Sequence, residues 1–271
     1  YLLGCGLFCG LAFLTKGFLA LVLPILTLVP FMLWEHRGKE WYKYFWIPLG
    51  FAILIAIPWG IMIYRRESDF WRYFIWEEHL RRFLSSRAQH AYSFWFYIPI
   101  LLGGTFPWSP LIPLMIDGLK NLRENPLLRL AFCWLVFPLT FFFMCQGKLG
   151  TYLLPCFPPF AILMAAGLLH HLAGGKIRAF NHMMGGSVIL ILAGSAVFAG
   201  FQLFLPPLQI YRPDETWKWL LIIIGLLFYA VCLRGAQQRA NYSAKLILSS
   251  FGPLLLMFIA PFVIPDRFQV G

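Results

Sequence analysis

The sequence predicts an all-α fold, a polytopic transmembrane helical bundle, and three observations carry that prediction. Mean hydropathy is +0.73. Charged residues make up 12% of the chain, against about one quarter in soluble domains. Apolar runs close to the roughly 20 residues that a membrane span needs recur along its whole length. Together they exclude a soluble globular protein.

Taken in order, the spans are expected near 18–34, 45–64, 94–116, 127–146, 151–172, 183–205, 216–233 and 246–264. Residues 1–14 are a further apolar segment, too short to cross alone, which gives about eight or nine segments in all. The chain opens at Tyr1 without a methionine, so it reads as an internal fragment whose first helix is cut. Several spans contain proline: Pro24 and Pro30, Pro107 and Pro110, and Pro155 with Pro158 and Pro159. Neighbouring helices can satisfy the backbone groups that proline frees, so these read as kinks or as the shaping of a cavity. The six cysteines, Cys5, Cys9, Cys133, Cys145, Cys156 and Cys232, sit in or beside spans without CxxC or zinc spacing. They read as small buried residues.

The net charge of +11 resides in the loops. One set is short and basic: "EHRGKEWYK", "DGLKNLREN", "GGKIR" and "RGAQQRANYSAK". The alternating set holds Lys16, residues 65–93, "QGKLGTY", "LPPLQIYRPDETWK" and "PDRF". Lys and Arg divide evenly between the two sets, but the positive-inside rule weights short loops, which puts the first set in the cytoplasm. The 65–93 loop then faces the periplasm. Basic residues at a bilayer suit membrane lipids and lipid phosphates. Nucleic acid is excluded as a partner by the lack of a soluble basic domain.

Residues 65–90, "RRESDFWRYFIWEEHLRRFLSSRAQH", concentrate six arginines, four acids and two histidines in an otherwise apolar chain. Ser68 and Asp69 offer an N-cap, and Phe70, Tyr73, Phe74, Glu77 and Leu80 recur at helical spacing. This predicts an amphipathic interfacial helix near 69–84, with Glu78, His79 and Arg82 together on its other side. A solvated anchoring face is the plain alternative. Lys16 in "LAFLTKGFLAL", and Lys148 with Tyr152 in "QGKLGTYLLP", also fall on the outward side. A snorkelling lysine explains each alone. Together they describe a cationic pocket for a lipid-linked phosphate. Lys148 and Tyr152 are four apart, so a helix starting near Thr151 would bring them together.

Four segments carry a family resemblance: "LTKG" (14–17), "DFWRYFIWEEHLRRF" (69–83), "QHAYSFWFYIP" (89–99) and "GKLGTYLLPCFPP" (147–159), in this order and at similar intervals. In them the sequence resembles the bacterial lipid A 4-amino-4-deoxy-L-arabinose transferases of the GT-C superfamily, relatives of the protein O-mannosyltransferases. Gly150 departs from the family, which usually has proline there.

The resemblance implies a multi-pass inner-membrane enzyme with its site facing the periplasm. It would move a sugar from a polyprenyl-phosphate donor, its co-substrate, to a lipid A phosphate or related acceptor, with inversion. It also implies that residues 1–271 are one GT-C-type domain lacking the preceding spans and the first periplasmic loop, which holds an acidic catalytic residue in the family. Arg82 and Arg81 would hold the donor phosphate, with Lys148, Tyr152, Lys16 and His90 completing the substrate site. Glu78 and His79 are the catalytic candidates within the chain. His79 is also the candidate metal ligand if the enzyme uses a divalent ion; no other cofactor is implied. Three rivals remain: a transporter or flippase of lipid-linked saccharide, a protein O-mannosyltransferase-like enzyme, and a non-catalytic membrane scaffold, which would not need the dense Glu/His/Arg turn. A transporter would place ionisable groups near mid-span, whereas most charges here lie at span ends.

The assigned sidedness is open to direct test. Ser86→Cys in the full-length protein should react with a membrane-impermeant thiol reagent added from the periplasm. Reaction from the cytoplasm alone would invert the topology.

Overall fold

The computed structural model describes residues 1–76, 92–106, 108–121, 124–175, 177–206 and 209–268. Among these there is no strand. The helices are α1 (Leu2–Lys16), α2 (Leu19–Trp34), α3 (Gly38–Tyr44), α4 (Trp46–Arg66), α5 (Tyr97–Gly104), α6 (Ile112–Gly118), α7 (Pro126–Met144), α8 (Phe157–Ala173), α9 (Ile177–Phe204), α10 (Thr216–Gln238) and α11 (Tyr242–Ile259). A helix satisfies its own backbone, which is why it is the form an apolar chain takes in lipid. Among the described residues six helical runs are long and apolar enough to cross a membrane: Gly38–Arg66, Pro126–Met144, Gly150–Ala173, Ile177–Phe204, Pro213–Gln238 and Tyr242–Phe262, with the bent pair Phe94–Gly104 and Ser109–Asp117 making a seventh if it counts as one span. α1 and α2 are shorter apolar helices.

The expected span 94–116 is two helices, α5 and α6. Thr105 and Phe106 form a turn between them, and a 3-10 turn over Ser109–Leu111 leads into α6. The Thr105 hydroxyl donates to Leu101 O at 2.7 Å, closing the end of α5. The expectation that the cysteines are small buried residues holds for half of them. Cys133, Cys145 and Cys156 are buried, Cys9 and Cys232 are partly buried, and Cys5 is exposed; all six are free thiols.

The chain divides into two compact units, one of residues 1–105 and 119–166, the other of 106–118 and 167–271. In the first, α1 lies close against α4 because two glycines face it. A Cβ on Gly6 would meet Pro48 O at 2.6 Å, and one on Gly10 would meet Ile55 Cβ at 2.8 Å and Ala52 O at 2.9 Å. Small residues permit such approach where the hydrophobic effect gives no drive between helices in lipid. α2 packs against α7, where Arg129 pairs with Glu35 at 2.5 Å and Trp34 meets the edge of Phe132. Asn125 caps α7 by accepting from Leu127 N at 2.9 Å.

The second unit packs α9 on α10 and α10 on α11. Two lysines that read as loop charges in the sequence are buried there. Lys245 Nζ donates to Asn181 Oδ1 at 2.8 Å, Gln237 O at 3.0 Å and Ala236 O at 3.1 Å. Lys218 Nζ donates to Asp266 Oδ1 at 2.6 Å, Glu215 Oε1 at 2.9 Å and Ile264 O at 3.1 Å. Asn181 lies in the first turns of α9, which starts at Ile177 rather than near the expected 183.

The α1–α4 approach sets a stability expectation. Gly10→Ala should lower the thermal unfolding temperature of the detergent-solubilised protein, with a cost of about 1–3 kcal/mol from overpacking. Gly4→Ala, where nothing lies within 4 Å of the added Cβ, should be neutral or slightly stabilising.

Candidate functional site

The turn between α7 and α8 carries two of the residues singled out by sequence. Beneath it lies a cluster of buried side chains: Tyr97, Phe142, Cys145, Leu153 and Cys156. α7 ends at Cys145, whose thiol donates to Phe141 O at 3.2 Å. The chain then runs through Gly147, Lys148 and an extended Leu149 into a 3-10 helix over Gly150–Cys156. Lys148 therefore precedes the helical turns, and the expected helical relation between it and Tyr152 does not form. Lys148 is 4% exposed, so it does not snorkel to a surface. Its ammonium donates to Cys145 O at 2.5 Å. A buried ammonium with one carbonyl acceptor is under-satisfied, since it carries three donors. Tyr152 is half-buried, with its ring stacked on Phe142 at 5.8 Å. A Cβ at Gly150 would be in ordinary contact with Ile100, so packing does not require glycine there.

A second group of residues gathers around the end of α1. Gly17 closes that helix at φ 65, a left-handed value that favours glycine, and Lys16 beside it is exposed. Phe13 and Phe18, on either side of this turn, meet the Phe74 ring at 6.4 and 5.8 Å. Phe70 stacks on Phe74 at 5.4 Å, and Trp59 of α4 meets Phe70 at 5.6 Å and Trp71 at 6.1 Å. The start of the expected 69–84 helix is thus helical over 70–76, and it docks through Phe70, Trp71 and Phe74. Tyr73, on the expected aromatic stripe, is exposed. Trp71, outside that stripe, faces α4, its ring 3.2 Å from where a Cβ on Gly60 would sit. Asp69 stands at the N-cap position without a side-chain capping bond.

These two groups lie at the same end of the first unit. Leu19 and Leu23, in the first turns of α2, pack against the Tyr97–Phe142–Cys145 cluster. Tyr92 stacks on Phe96 at 4.4 Å, and Phe94 reaches Phe143 of α7 at 4.9 Å. Lys16, the 70–76 turn, the 92–97 segment and the Lys148–Tyr152 turn therefore all lie toward this end of the first unit. Glu78, His79, Arg81, Arg82 and His90 lie outside the described residues. So does the second half of the expected interfacial helix. Among the described residues no group of three or more His, Cys, Asp or Glu side chains is placed to hold a metal ion. Tyr97 was not singled out by sequence, yet it is fully buried beneath the Lys148 turn, with the Leu149 backbone beside its hydroxyl. An aromatic residue inside an apolar run gives no signal that separates it from core.

In class, this is a multi-span, all-α membrane protein with a cationic turn at one end of its first unit, and its likeness to known proteins agrees. The dolichyl-phosphate-mannose-protein mannosyltransferase family matches residues 1–74. Over 97% of its length the chain is 36% identical to the undecaprenyl phosphate-alpha-4-amino-4-deoxy-L-arabinose arabinosyl transferase of Serratia proteamaculans, and 40% identical to that of Erwinia tasmaniensis. The Aeromonas hydrophila protein of the same name is 38% identical over 96% of the chain. The chain spans about half of these relatives, 47% of each. In fold it matches the crystal structure of ArnT from Cupriavidus metallidurans bound to undecaprenyl phosphate, with a TM-score of 0.76 at 21% identity, covering 93% of this chain and 45% of that one. The apo structure of the same protein gives 0.74. The chain is thus similar to these aminoarabinose transferases over the half of their length that it spans.

The docking of the 70–76 turn predicts unequal effects of two neighbouring substitutions. Trp71→Ala removes a partly buried ring from Trp59 and Gly60 and should cost about 1–3 kcal/mol of stability. Tyr73→Ala, at an exposed position, should cost less than about 1 kcal/mol. Equal losses of thermal stability would show that this turn is not seated as described.

Proposed function

We propose that the full-length protein is a membrane glycosyltransferase. It moves an aminoarabinose-type sugar from an undecaprenyl-phosphate donor to a lipid A phosphate or related acceptor, with inversion, at the periplasmic face of the inner membrane. The observation that carries this reading is the likeness, over nearly the whole chain, to proteins named for that transfer. The under-satisfied ammonium of Lys148 supports it from the geometry, because a phosphate would supply the missing acceptors. The transport alternative gains nothing from the buried lysines of the second unit. Lys218 and Lys245 sit in the first turns of α10 and α11 and are fully engaged in internal bonds.

In this reading the cations act on the donor phosphate. Lys148, Arg82 and Arg81 neutralise charge as the phosphate leaves the anomeric carbon. Tyr152 donates its hydroxyl and lines the site with its ring. Lys16 and His90 stand at the margin. A phosphate acceptor is already an anion and needs little help from a base. Glu78 then orients Arg82 or His79. His79 serves as hydrogen-bond partner or base, and is the residue that would take a divalent ion if the enzyme binds one.

Titration of the purified full-length protein with polyprenyl phosphate tests the site. Lys148→Met, which keeps the stem and removes the charge, should weaken binding by about tenfold or more, while Lys148→Arg keeps part of it. Tyr152→Phe should cost about 0.5–1.5 kcal/mol for a neutral partner and up to about 3 for a charged one. Unchanged affinity in Lys148→Met would remove this lysine from the site. In a transfer assay, Arg82→Ala should lose activity far more than Arg123→Ala, a basic control in a loop assigned to the cytoplasm. Equal activities would sink the assignment of Arg82.

A further inference from the structure

A groove of about 430 Å³ opens within the first unit, walled by α1, α2, α3 and α4. Its volume falls in the range of small-molecule sites. Its walls are apolar, with Cys5, Leu28 and Met32 among them, and its rim is formed by Arg37, Glu40 and Trp41. None of these residues belongs to the cationic turn described above. The groove lies at the Trp46 end of α4, whereas the 65–90 loop begins at the Arg66 end. Those ends are roughly 30 Å apart at 1.5 Å per residue.

We propose that this groove is a binding site for an anionic membrane phospholipid, with one acyl chain between α1 and α2 and the phosphate at Arg37. The argument begins with α3. Arg37, Glu40, Trp41 and Tyr44 recur at helical spacing and line the groove, while Lys39 and Lys43 are exposed on the opposite face. A short helix with this division lies at headgroup depth, where Trp and Tyr collect at the membrane surface. The polar rim and the apolar walls then match the polar head and the tail of a lipid.

Charge selects the head. Glu35 is engaged by Arg129 across the α2–α7 contact. Glu40 is engaged by Arg37, which donates through Nε at 2.8 Å and Nη2 at 2.5 Å. Two of the five guanidinium donors are used there, and the Arg37 side chain remains 53% exposed, so Nη1 is open to a phosphate oxygen. Lys39 and Lys43 add positive potential, and among the described residues neither is in a salt bridge; Lys43 acts on Glu40 through space and lies over the Tyr44 ring at 5.1 Å. A zwitterionic head would bring its own cation into this field, while an anionic head would not.

The test uses the full-length protein, equilibrated with phosphatidylcholine vesicles containing phosphatidylglycerol, taken into mild detergent and weighed by native mass spectrometry. One phosphatidylglycerol should stay bound in preference to phosphatidylcholine. Arg37→Ala should lower its retention by about tenfold, and Arg37→Lys should restore part of it. Leu28→Trp, which fills the groove, should abolish retention. Three results would each overturn the proposal: equal retention of the two lipids, no retained lipid because another part of the full-length chain fills the groove, or unaltered retention in Arg37→Ala. Displacement by added polyprenyl phosphate would also overturn it, since the groove would then serve the donor's tail.

Discussion

An ammonium withdrawn from water and given a single backbone carbonyl is costly to keep, and Lys148 is kept that way. The cost of burying an unpaired charge is several kcal/mol even after relaxation. Elsewhere the same chain buries lysines at no such disadvantage. Lys245 reaches three acceptors and Lys218 reaches two carboxylates and a carbonyl. Among the described residues Lys148 has Cys145 O as its acceptor. Packing holds it there: the turn sits on Tyr97, Phe142 and Leu153, and Leu19 and Leu23 of α2 press on the same cluster. Under the proposed function, the acceptors that Lys148 lacks would arrive with the donor phosphate.

The rest of the first unit can be seen as the support for that turn. Gly6 and Gly10 let α1 approach α4, which fixes where Phe13 and Gly17 fall. Phe13 and Phe18 then receive Phe74, and Trp59 receives Phe70 and Trp71. Tyr92 and Phe94 seat the chain again on the near side of α7. Both flanks of residues 77–91 are therefore delivered to the end of the unit that holds Lys148 and Tyr152. In the membrane this is done mainly with aromatic edges and small residues, because no hydrophobic drive separates one apolar helix from the surrounding lipid.

Hydropathy made most spans legible. α2, α4, α7 and α10 begin within a residue of where the sequence put them. The failures have particular causes. Asn181 and His182 read as loop, yet α9 continues through them because Asn181 is bonded to Lys245. A lone lysine has no sequence mark that separates a buried, bonded one from a solvated one, so Lys218 and Lys245 were indistinguishable from loop charge. The 94–116 run has the composition of one span, and only the structure shows the turn at Thr105. In the 69–76 stretch, helical spacing alone could not decide between Tyr73 and Trp71 for the inward place. Tertiary contact with Trp59 and Gly60 decides it. The GLFCG spacing of Gly6 and Gly10 was visible in the sequence and is a known signature of close helix approach. At the candidate site, Lys148 and Tyr152 were legible as residue types, but the burial of one and the ring stacking of the other were not.

The central claim is that the 14–17, 70–76, 92–97 and 147–152 segments converge on one phosphate-binding end. Photocrosslinking tests it most directly. A polyprenyl phosphate carrying a photoreactive group next to its phosphate would be bound to the full-length protein, irradiated, and the adducts mapped by peptide mass spectrometry. The account predicts adducts within residues 147–152 and in at least one of the other three segments, all reduced by excess unlabelled polyprenyl phosphate. Competable adducts confined to the α10–α11 connection around Arg239, with none at residues 147–152, would contradict it.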